Sequence, residues 1–222
     1  MITLSDVTKT HFNERDVEVP AVLKFTNEML AAKSDCSLLD VGGHYAHATY
    51  GPGIRELLKN NIYDACDILP DPPTEKLVNN YFVGNVSELS LNQYDLVTCI
   101  SVIEHCGLTT YKRDDIYSEQ CLIMKRLTDL AQKGLFLTFP YGLPGVYPDQ
   151  YSNIFDTLLS KFTNQWLYSK GPAAKVETQF FYNDFSPKGL PWSELTHEQA
   201  SQVPLDVDLG IVQCVCLFKA TC

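Results

Sequence analysis

The sequence predicts an α/β fold, a three-layer doubly wound sheet in which mostly parallel strands lie between helices. Three observations predict it. Apolar runs of strand length recur along the chain, and helix-like stretches lie between them. The runs alternate little between apolar and polar residues, which is typical of parallel strands covered on both faces. The last strand-like runs include a pair without a full crossover helix between them, which indicates an antiparallel addition at one edge.

The predicted strands are short apolar or aromatic segments. The first five are CSLLDVGG (36–43), NIYDACDIL (61–69), NNYFVGNV (79–86), YDLVTCISV (94–102) and GLFLTFPYG (134–142). Two more follow in the tail, KVETQFFYND (175–184) and GIVQCVCLFKA (210–220). The aromatic residues Phe180, Phe181, Tyr182 and Trp192 are expected in the core, with a sugar-stacking surface as the alternative.

Helices are predicted between and around these strands. The segments are 21–33, 53–61, 114–134 and 152–167, with a short helix within 191–203. In the segment 114–134 apolar residues recur on one face, and Gly134 is predicted as its C-cap. Ser152 is predicted as the N-cap of the next helix.

Composition disfavours several classes of function. A net charge of −10 disfavours sequence-independent binding to nucleic acids and anionic membranes, since both need Lys and Arg. The sequence has no apolar run of transmembrane length, and its N-terminus has no signal-peptide core. Its 8 cysteines form no CxxC pair, so buried thiols in a reducing compartment are expected. A cytoplasmic protein without nucleic-acid or membrane partners is therefore expected.

Polar residues and glycines end the first three predicted strands, where doubly wound folds bind their ligands. The first strand ends in Asp40, Gly42 and Gly43, where a missing Cβ lets a ligand approach the backbone. Asp67 ends the second strand, where a carboxylate can accept hydrogen bonds from both hydroxyls of a ribose. Asn85 follows the third strand and can read the edge of an adenine. A tight turn, an exposed loop carboxylate and a turn asparagine are the alternatives.

The fourth and fifth strands end in residues suited to a cleft. Glu104 and His105 lie together where the chain leaves the fourth strand, and imidazole is the commonest general base near neutral pH. The alternative is a histidine that packs against the first loop. Pro140 directs the chain out of the sheet after the fifth strand, so Tyr141 is expected to face the cleft.

These segments, at successive strand ends and in this order, resemble one family. LLDVGG, ACDI, VGNVSEL, YDLVTCISVIEHCGL and GLFLTFPYG resemble class I S-adenosylmethionine-dependent methyltransferases, most closely bacterial ones associated with sugar and polysaccharide biosynthesis. The resemblance runs from about residue 36 to the C-terminus. It implies a methyltransferase domain over 36–222, and residues 1–35 are expected to form an N-terminal helical extension or a lid on the cofactor cleft.

The resemblance implies a Rossmann-like sheet of seven strands in the order 3-2-1-4-5-7-6, with strand 7 antiparallel. The residues expected to bind S-adenosylmethionine are Asp40, Gly42, Gly43, Asp67, Asn85 and Ser101. By position, Asp67 would hold the ribose hydroxyls and Asn85 would meet the adenine. Ser101 and His105 would lie beside the methyl-bearing half of the cofactor.

The implied function is methyl transfer from S-adenosylmethionine to a small acceptor, an oxygen of a sugar or polysaccharide precursor. An acceptor hydroxyl of high pKa reacts more readily when a base removes its proton, and His105 is the first candidate for that base. Tyr141, His44 and His47 are second-rank candidates. No metal site is predicted, because His44 and His47 lie three apart without a carboxylate cluster. A small-molecule acceptor is the partner expected, and the oligomeric state is open.

Two other function classes remain as alternatives. A nicotinamide-dependent oxidoreductase requires the pattern GxGxxG, but Gly42 and Gly43 are adjacent and His44 stands where the next glycine is needed. A non-catalytic cofactor-binding or scaffold protein is favoured only by the bulky loop HYAHATYGPG (44–53), which departs from the pattern of the family.

Overall fold

A computed structural model describes residues 3, 13–32, 35–70, 76–106, 113–144, 154–183, 192–205 and 214–222. The helices are α1 (Arg15–Ala32), α2 (Gly51–Leu58), α3 (Arg113–Leu130), α4 (Ile154–Lys170) and α5 (His197–Ala200), with 3₁₀ helices at Gly43–Ala48 and Ile103–His105. The predicted N-cap at Ser152 lies outside the described residues.

Among the described residues the main sheet has eight strands: β1 (Leu38–Val41), β2 (Tyr63–Asp67), β3 (Asn80–Val83), β4 (Tyr94–Ile100), β5 (Ala131–Pro140), β7 (Lys175–Tyr182), β8 (Ser193–Leu195) and β10 (Cys214–Thr221). Their order in the sheet is β3-β2-β1-β4-β5-β10-β7-β8. The first five pair in parallel, and β10 lies antiparallel between β5 and β7. The doubly wound fold with an antiparallel strand between the fifth and sixth is confirmed. A separate parallel pair joins β6 (Leu143–Pro144) and β9 (Pro204–Leu205).

The predicted number of seven strands is wrong by one, because β8 adds an eighth at the edge. It pairs antiparallel with β7, placing Leu195 opposite Phe180. This segment lies inside the predicted helix 191–203, of which only His197–Ala200 is α-helical. A capping box at Thr196 begins that helix, since its hydroxyl accepts from the N–H of Gln199 and its own N–H donates to the Gln199 side chain.

Gly134 is not a helix C-cap. Helix α3 ends at Leu130 and β5 begins at the next residue, so Gly134 lies inside the strand. A Cβ at this position would lie 2.8 Å from Cζ of Phe25 on α1 and 2.9 Å from Cδ2 of Leu96 on β4. The glycine therefore permits α1 to pack closely on the sheet, a requirement that local sequence does not reveal.

The N-terminal helix is longer than predicted and packs on the sheet. It begins at Arg15, upstream of Pro20, where the prediction started at residue 21. Val17, Val22 and Phe25 are buried, and the ring of Phe25 stacks on Phe136 with centroids 5.3 Å apart. Residues 15–32 are thus part of the core on this face of the sheet.

Two apolar layers cover the two faces of the sheet. One contains residues of α1 and α2, and the other contains Leu127 of α3 and Trp166 of α4. Of the four aromatic residues predicted in the core, Phe180, Phe181 and Trp192 are buried, which confirms their place there, while Tyr182 is half-buried and packs against the same core. None of the 8 cysteines forms a disulfide.

Within the described residues, we find no helix with the length and apolarity needed to span a membrane.

Candidate functional site

A cavity of about 480 Å³ lies beyond the carboxyl ends of β1, β2, β3 and β4. Its volume falls within the roughly 300–1,000 Å³ of small-molecule sites. The side chains on its wall that can bind a proton or polar ligand include Arg15, Asp67, Asn85, Ser101, His105 and Glu119. The apolar wall includes Val41, Ile68, Leu69, Val86, Ile100 and Ile123. The predicted edge of the sheet is therefore where the cavity lies.

Asp40 lies beneath the cavity and does not line it. Its carboxyl group is fully buried and accepts hydrogen bonds from Tyr50 Oη (3.2 Å), Tyr63 Oη (3.3 Å) and Thr98 Oγ1 (2.8 Å). Burial raises the pKa of Asp40 to about 7, while the hydroxyl donors act in the opposite direction. Asp40 thus supports the loop through Tyr50, whose side chain does line the cavity.

Of the two adjacent glycines, only Gly42 lines the cavity. It has φ of +78°, and a Cβ there would lie 2.1 Å from Cγ2 of Val102. Gly43 packs against the residues below, where a Cβ would lie 3.0 Å from both Ala65 Cβ and Asp40 Oδ2. The expectation that Asp40 and Gly43 line a ligand is therefore corrected, because both lie under the floor.

Asp67 ends β2 and lines the cavity. Its Oδ2 accepts the backbone N–H of His44 at 3.1 Å, and its Oδ1 accepts that of Leu69 at 3.1 Å. Each carboxylate oxygen has a second lone pair, so the group retains acceptor capacity for a ligand. The contact with His44 also fixes the 3₁₀ helix at Gly43–Ala48 to the end of β2.

Asn85 lines the cavity, but much of its side chain is engaged within the protein. Its Oδ1 accepts hydrogen bonds from the N–H (3.1 Å) and the hydroxyl (2.9 Å) of Ser87. Its Nδ2 donates to Glu119 Oε1 at 3.2 Å. Because both lone pairs of Oδ1 are used in the turn, Asn85 has little capacity to accept a further hydrogen bond.

Ser101 joins the end of β4 to helix α1. It has φ of +50°, a left-handed conformation uncommon outside glycine. Its hydroxyl donates to Glu18 Oε1 at 2.5 Å, and Thr138 Oγ1 of β5 donates to the same oxygen. Glu18 is fully buried and also pairs with Arg15, which lines the cavity. Sequence reasoning missed Arg15 and Glu18, since no local motif marks them.

Glu104 and His105 differ in environment although they are adjacent. Glu104 is buried, which raises its pKa to about 8, and its Oε2 has no hydrogen-bond partner among the described residues. His105 lines the cavity with its side chain 72% exposed. Partial burial and the charge of Arg15 lower the pKa of His105 from 6.5. The imidazole is therefore neutral at neutral pH and able to accept a proton.

Tyr141 does not face the cavity, contrary to the prediction. Its N–H donates to the carbonyl of Cys214 at 2.9 Å, so residue 141 continues the pairing of β5 with β10. Side chains alternate along a strand, so Tyr141 joins Phe139 on the face covered by α3 and α4. It is 2% exposed, and its hydroxyl lies 2.5 Å from His197 Nε2.

The bulky loop forms a wall of the cavity and leaves it open. Tyr45 and Ala46 of the 3₁₀ helix, and Thr49 after it, line one side. His44 and His47 are not among the lining residues. In the described parts of the chain no group of three or more His, Cys, Asp or Glu residues is arranged to hold a metal ion.

No protein-family model matches the sequence, and no curated protein matches it. Solved structures do share its fold. The methyltransferase domain of bacterial CtHen1 aligns with a TM-score of 0.50 at 13% identity, over 90% of this chain and 97% of that one. Magnesium protoporphyrin IX methyltransferase from Synechocystis PCC 6803, solved with bound SAH, aligns with a TM-score of 0.49 at 11% identity, over 95% and 88%.

A sugar N-methyltransferase from Streptoalloteichus sp ATCC 53650 aligns over 58% of this chain and 51% of its own, with a TM-score of 0.44 and 12% identity. At such identities the similarity establishes the fold alone. The sheet and its helices are those of the S-adenosylmethionine-dependent methyltransferase fold.

Proposed function

We propose that this protein transfers a methyl group from S-adenosylmethionine to a small acceptor, an oxygen of a sugar or polysaccharide precursor. One observation carries the proposal. On a methyltransferase fold, four neighbouring strand ends border one cavity, which is lined by Asp67 from the end of β2 and by Ser101 and His105 after β4. Fold alone does not determine function, so the proposal depends on these side chains.

The cavity has groups suited to the adenosyl part of the cofactor. Asp67 keeps lone pairs that can accept hydrogen bonds from two ribose hydroxyls. Ile68 and Leu69, which are 63% and 40% exposed, give an apolar surface for a base. Gly42 lines the cavity at the end of β1, and its missing Cβ makes room for the Val102 side chain beside it. The residues present therefore fit an adenosyl group.

When bound, S-adenosylmethionine supplies a methyl group that its positive sulfur has already activated. The work of the protein is alignment of the acceptor and exclusion of water. His105 is proposed to accept the proton of the acceptor hydroxyl, because its lowered pKa keeps the ring neutral. Ser101 and Arg15 border the same part of the cavity and can hydrogen-bond to hydroxyls of a sugar.

Helix α1 is proposed to cover the acceptor side of the cavity. Arg15 in its first turn lines the cavity, and Glu18 one turn later binds Ser101 and Thr138 at the ends of β4 and β5. In this proposal the first turn of α1 closes the acceptor side of the cavity.

Titration calorimetry with S-adenosylmethionine, S-adenosylhomocysteine and NAD tests the cofactor. Binding of both adenosyl ligands, with no heat from NAD, is expected. Binding of NAD alone would favour an oxidoreductase and overturn the proposal. Methyl transfer is then followed with labelled S-adenosylmethionine on sugars, nucleotide sugars and amines. Binding without transfer to any of these acceptors would support a non-catalytic cofactor-binding protein.

A further inference from the structure

One edge of the main sheet is only half covered by the residues that the structure describes. Strand β8 pairs with residues 180–182, the C-terminal part of β7. The N-terminal part of β7, residues 175–178, pairs with β10 on one side, and no described strand pairs with it on the other. Lys175, Glu177 and Thr178 are exposed there. Within the described part of the chain, this half of β7 is therefore an open strand edge.

The pairing of β10 shows which main-chain groups point outward at this edge. In an antiparallel pair, alternate residues bond to one neighbouring strand and the residues between them bond to the other. The N–H of Tyr141 donates to the carbonyl of Cys214, so Cys214 and every second residue after it in β10 bond to β5. Val176 and Thr178 lie opposite residues of this set. Their own N–H and C=O groups therefore point away from β10, toward the open edge.

An apolar groove runs beside the edge on the face of the sheet that α4 covers. Leu159, Thr163 and Leu167 recur every fourth residue of α4 and line this groove together with Val176. Leu167 is 41% exposed. Unpaired main-chain groups next to apolar side chains are the surface that an added strand and its flanking helix would cover.

The charges at this edge are complementary to those of the same strand in a second copy. Lys175 and Glu177 lie two residues apart, so their side chains share the face of the sheet opposite Val176 and α4. If two β7 strands pair antiparallel with Val176 opposite Val176, Lys175 of each copy lies opposite Glu177 of the other. The next register that uses the outward groups of Val176 and Thr178 places Glu177 opposite Glu177, which is unfavourable. Charge therefore favours the first register.

We propose that two copies of this chain pair through β7 in this register, about a two-fold axis normal to the sheet, and form one continuous sheet across the dimer. Val176 exchanges both of its main-chain hydrogen bonds with its counterpart, and the axis brings the two α4 grooves together on one face. Charged residues on an edge strand often prevent pairing, but here opposite charges face each other and attract a second copy. Dimer formation requires neither the cofactor nor methyl transfer.

Sedimentation equilibrium of the unmodified full chain tests the assembly. The mass is expected to rise toward twice that of one chain as the protein concentration increases to about 0.1 mM, because association follows mass action. A mass that stays at that of one chain over this range would overturn the proposal. This measurement is made without ligand, so its result does not depend on the proposed function.

Charge reversal at either position tests the register. Lys175→Glu and Glu177→Lys are each expected to weaken the dimer at least about tenfold, because both symmetric pairs change from attraction to repulsion. Lys76→Glu is the matched control, since Lys76 is exposed and precedes β3 at the opposite edge of the sheet. An equal loss in Lys76→Glu would assign the effect to net charge and would overturn the proposal.

A mixture of the two single variants separates this dimer from any other assembly. Lys175→Glu leaves acidic side chains at both positions and Glu177→Lys leaves basic ones, so every opposite pair in the mixed dimer is complementary. With a fluorescent label on one variant, sedimentation is expected to show a mixed dimer at least as tight as that of the unmodified protein, which also shows that both variants fold. Absence of the mixed dimer, or self-association of both variants at unchanged affinity, would overturn the proposal.

Discussion

Asp67 and Asn85 follow neighbouring strands and line the same cavity, but their side chains differ in the capacity they keep for a ligand. Asp67 accepts two backbone N–H groups and retains lone pairs on both oxygens. Asn85 uses its carbonyl oxygen to close its own turn and its amide to hold Glu119. Position at a strand end therefore places a residue beside the cavity, and its hydrogen bonds within the protein decide how many acceptors it keeps for a ligand.

Asp67→Ala is expected to weaken binding of S-adenosylmethionine by ten-fold or more. A carboxylate that accepts from two ribose hydroxyls contributes roughly 1.5–3 kcal/mol, and the alanine offers no acceptor. Calorimetry measures the change. Asp129→Ala is the control, since Asp129 is a half-buried residue of α3 that pairs with Lys125 and does not line the cavity. Unchanged affinity in Asp67→Ala would remove Asp67 from the proposed site.

His105→Gln is expected to lower kcat by about 10²- to 10⁴-fold with a smaller effect on KM, because a general base acts mainly in the transition state. The pKa of the ring in the free protein is lowered from 6.5, so the acid limb of the kcat/KM profile should lie below that pH and disappear in the variant. His197→Gln, at an imidazole that contacts Tyr141 instead of the cavity, is the control. A larger change in KM than in kcat would make His105 a binding residue.

At the scale of elements, one buried carboxylate joins three pieces of the fold. Glu18 of α1 accepts from Ser101 at the end of β4 and from Thr138 in β5, and it pairs with Arg15. These contacts fix the first turn of α1 over the cavity. They also stabilise Ser101 in its left-handed conformation, which costs free energy by itself.

Glu18→Ala is expected to lower the free energy of unfolding by about 2–3 kcal/mol, because the buried Thr138 hydroxyl and the half-buried Ser101 hydroxyl lose their acceptor. It should also weaken cofactor binding, since Arg15 and Ser101 lose the residue that positions them. Urea denaturation and calorimetry measure the two effects. Glu28→Ala on the same helix loses a surface pair with Lys219 and should cost about 1 kcal/mol or less. Equal losses in the two variants would contradict this role of Glu18.

At the scale of the whole molecule, two buried carboxyl groups make stability depend on pH. Burial raises the pKa of Asp40 from 3.8 to about 7 and that of Glu104 from 4.5 to about 8. Over these intervals the folded protein binds more protons than the unfolded chain. The stability they contribute is therefore full at acidic pH and is lost as pH rises through the folded pKa values.

Asp40→Asn is expected to flatten this pH dependence. Between pH 3.8 and about 7 the carboxyl group adds a slope of up to about 1.4 kcal/mol per pH unit, with stability falling as pH rises, and the amide does not titrate. Urea denaturation across this range measures the difference between the two proteins. Asp129→Asn, at an exposed carboxylate, serves as the control. A variant with the slope of the unmodified protein would show that Asp40 has an ordinary pKa in the folded state.

The sequence by itself determined the class of the fold and the edge of the sheet that holds the cavity. Apolar strands alternating with helices require a covered parallel sheet, and Asp67, Asn85 and His105 each follow a strand directly, so local pattern places them. Tertiary structure decided the rest. The side chain of Tyr141 lies on the face covered by α3 and α4 because residue 141 still pairs with β10. A glycine is required at position 134 because Phe25 of α1 packs directly on it. Arg15 and Glu18 on α1 and Glu119 on α3 are separated in the sequence from the strand ends that they lie beside, so no local sequence pattern marks them. They reach the site because the helices pack on the sheet.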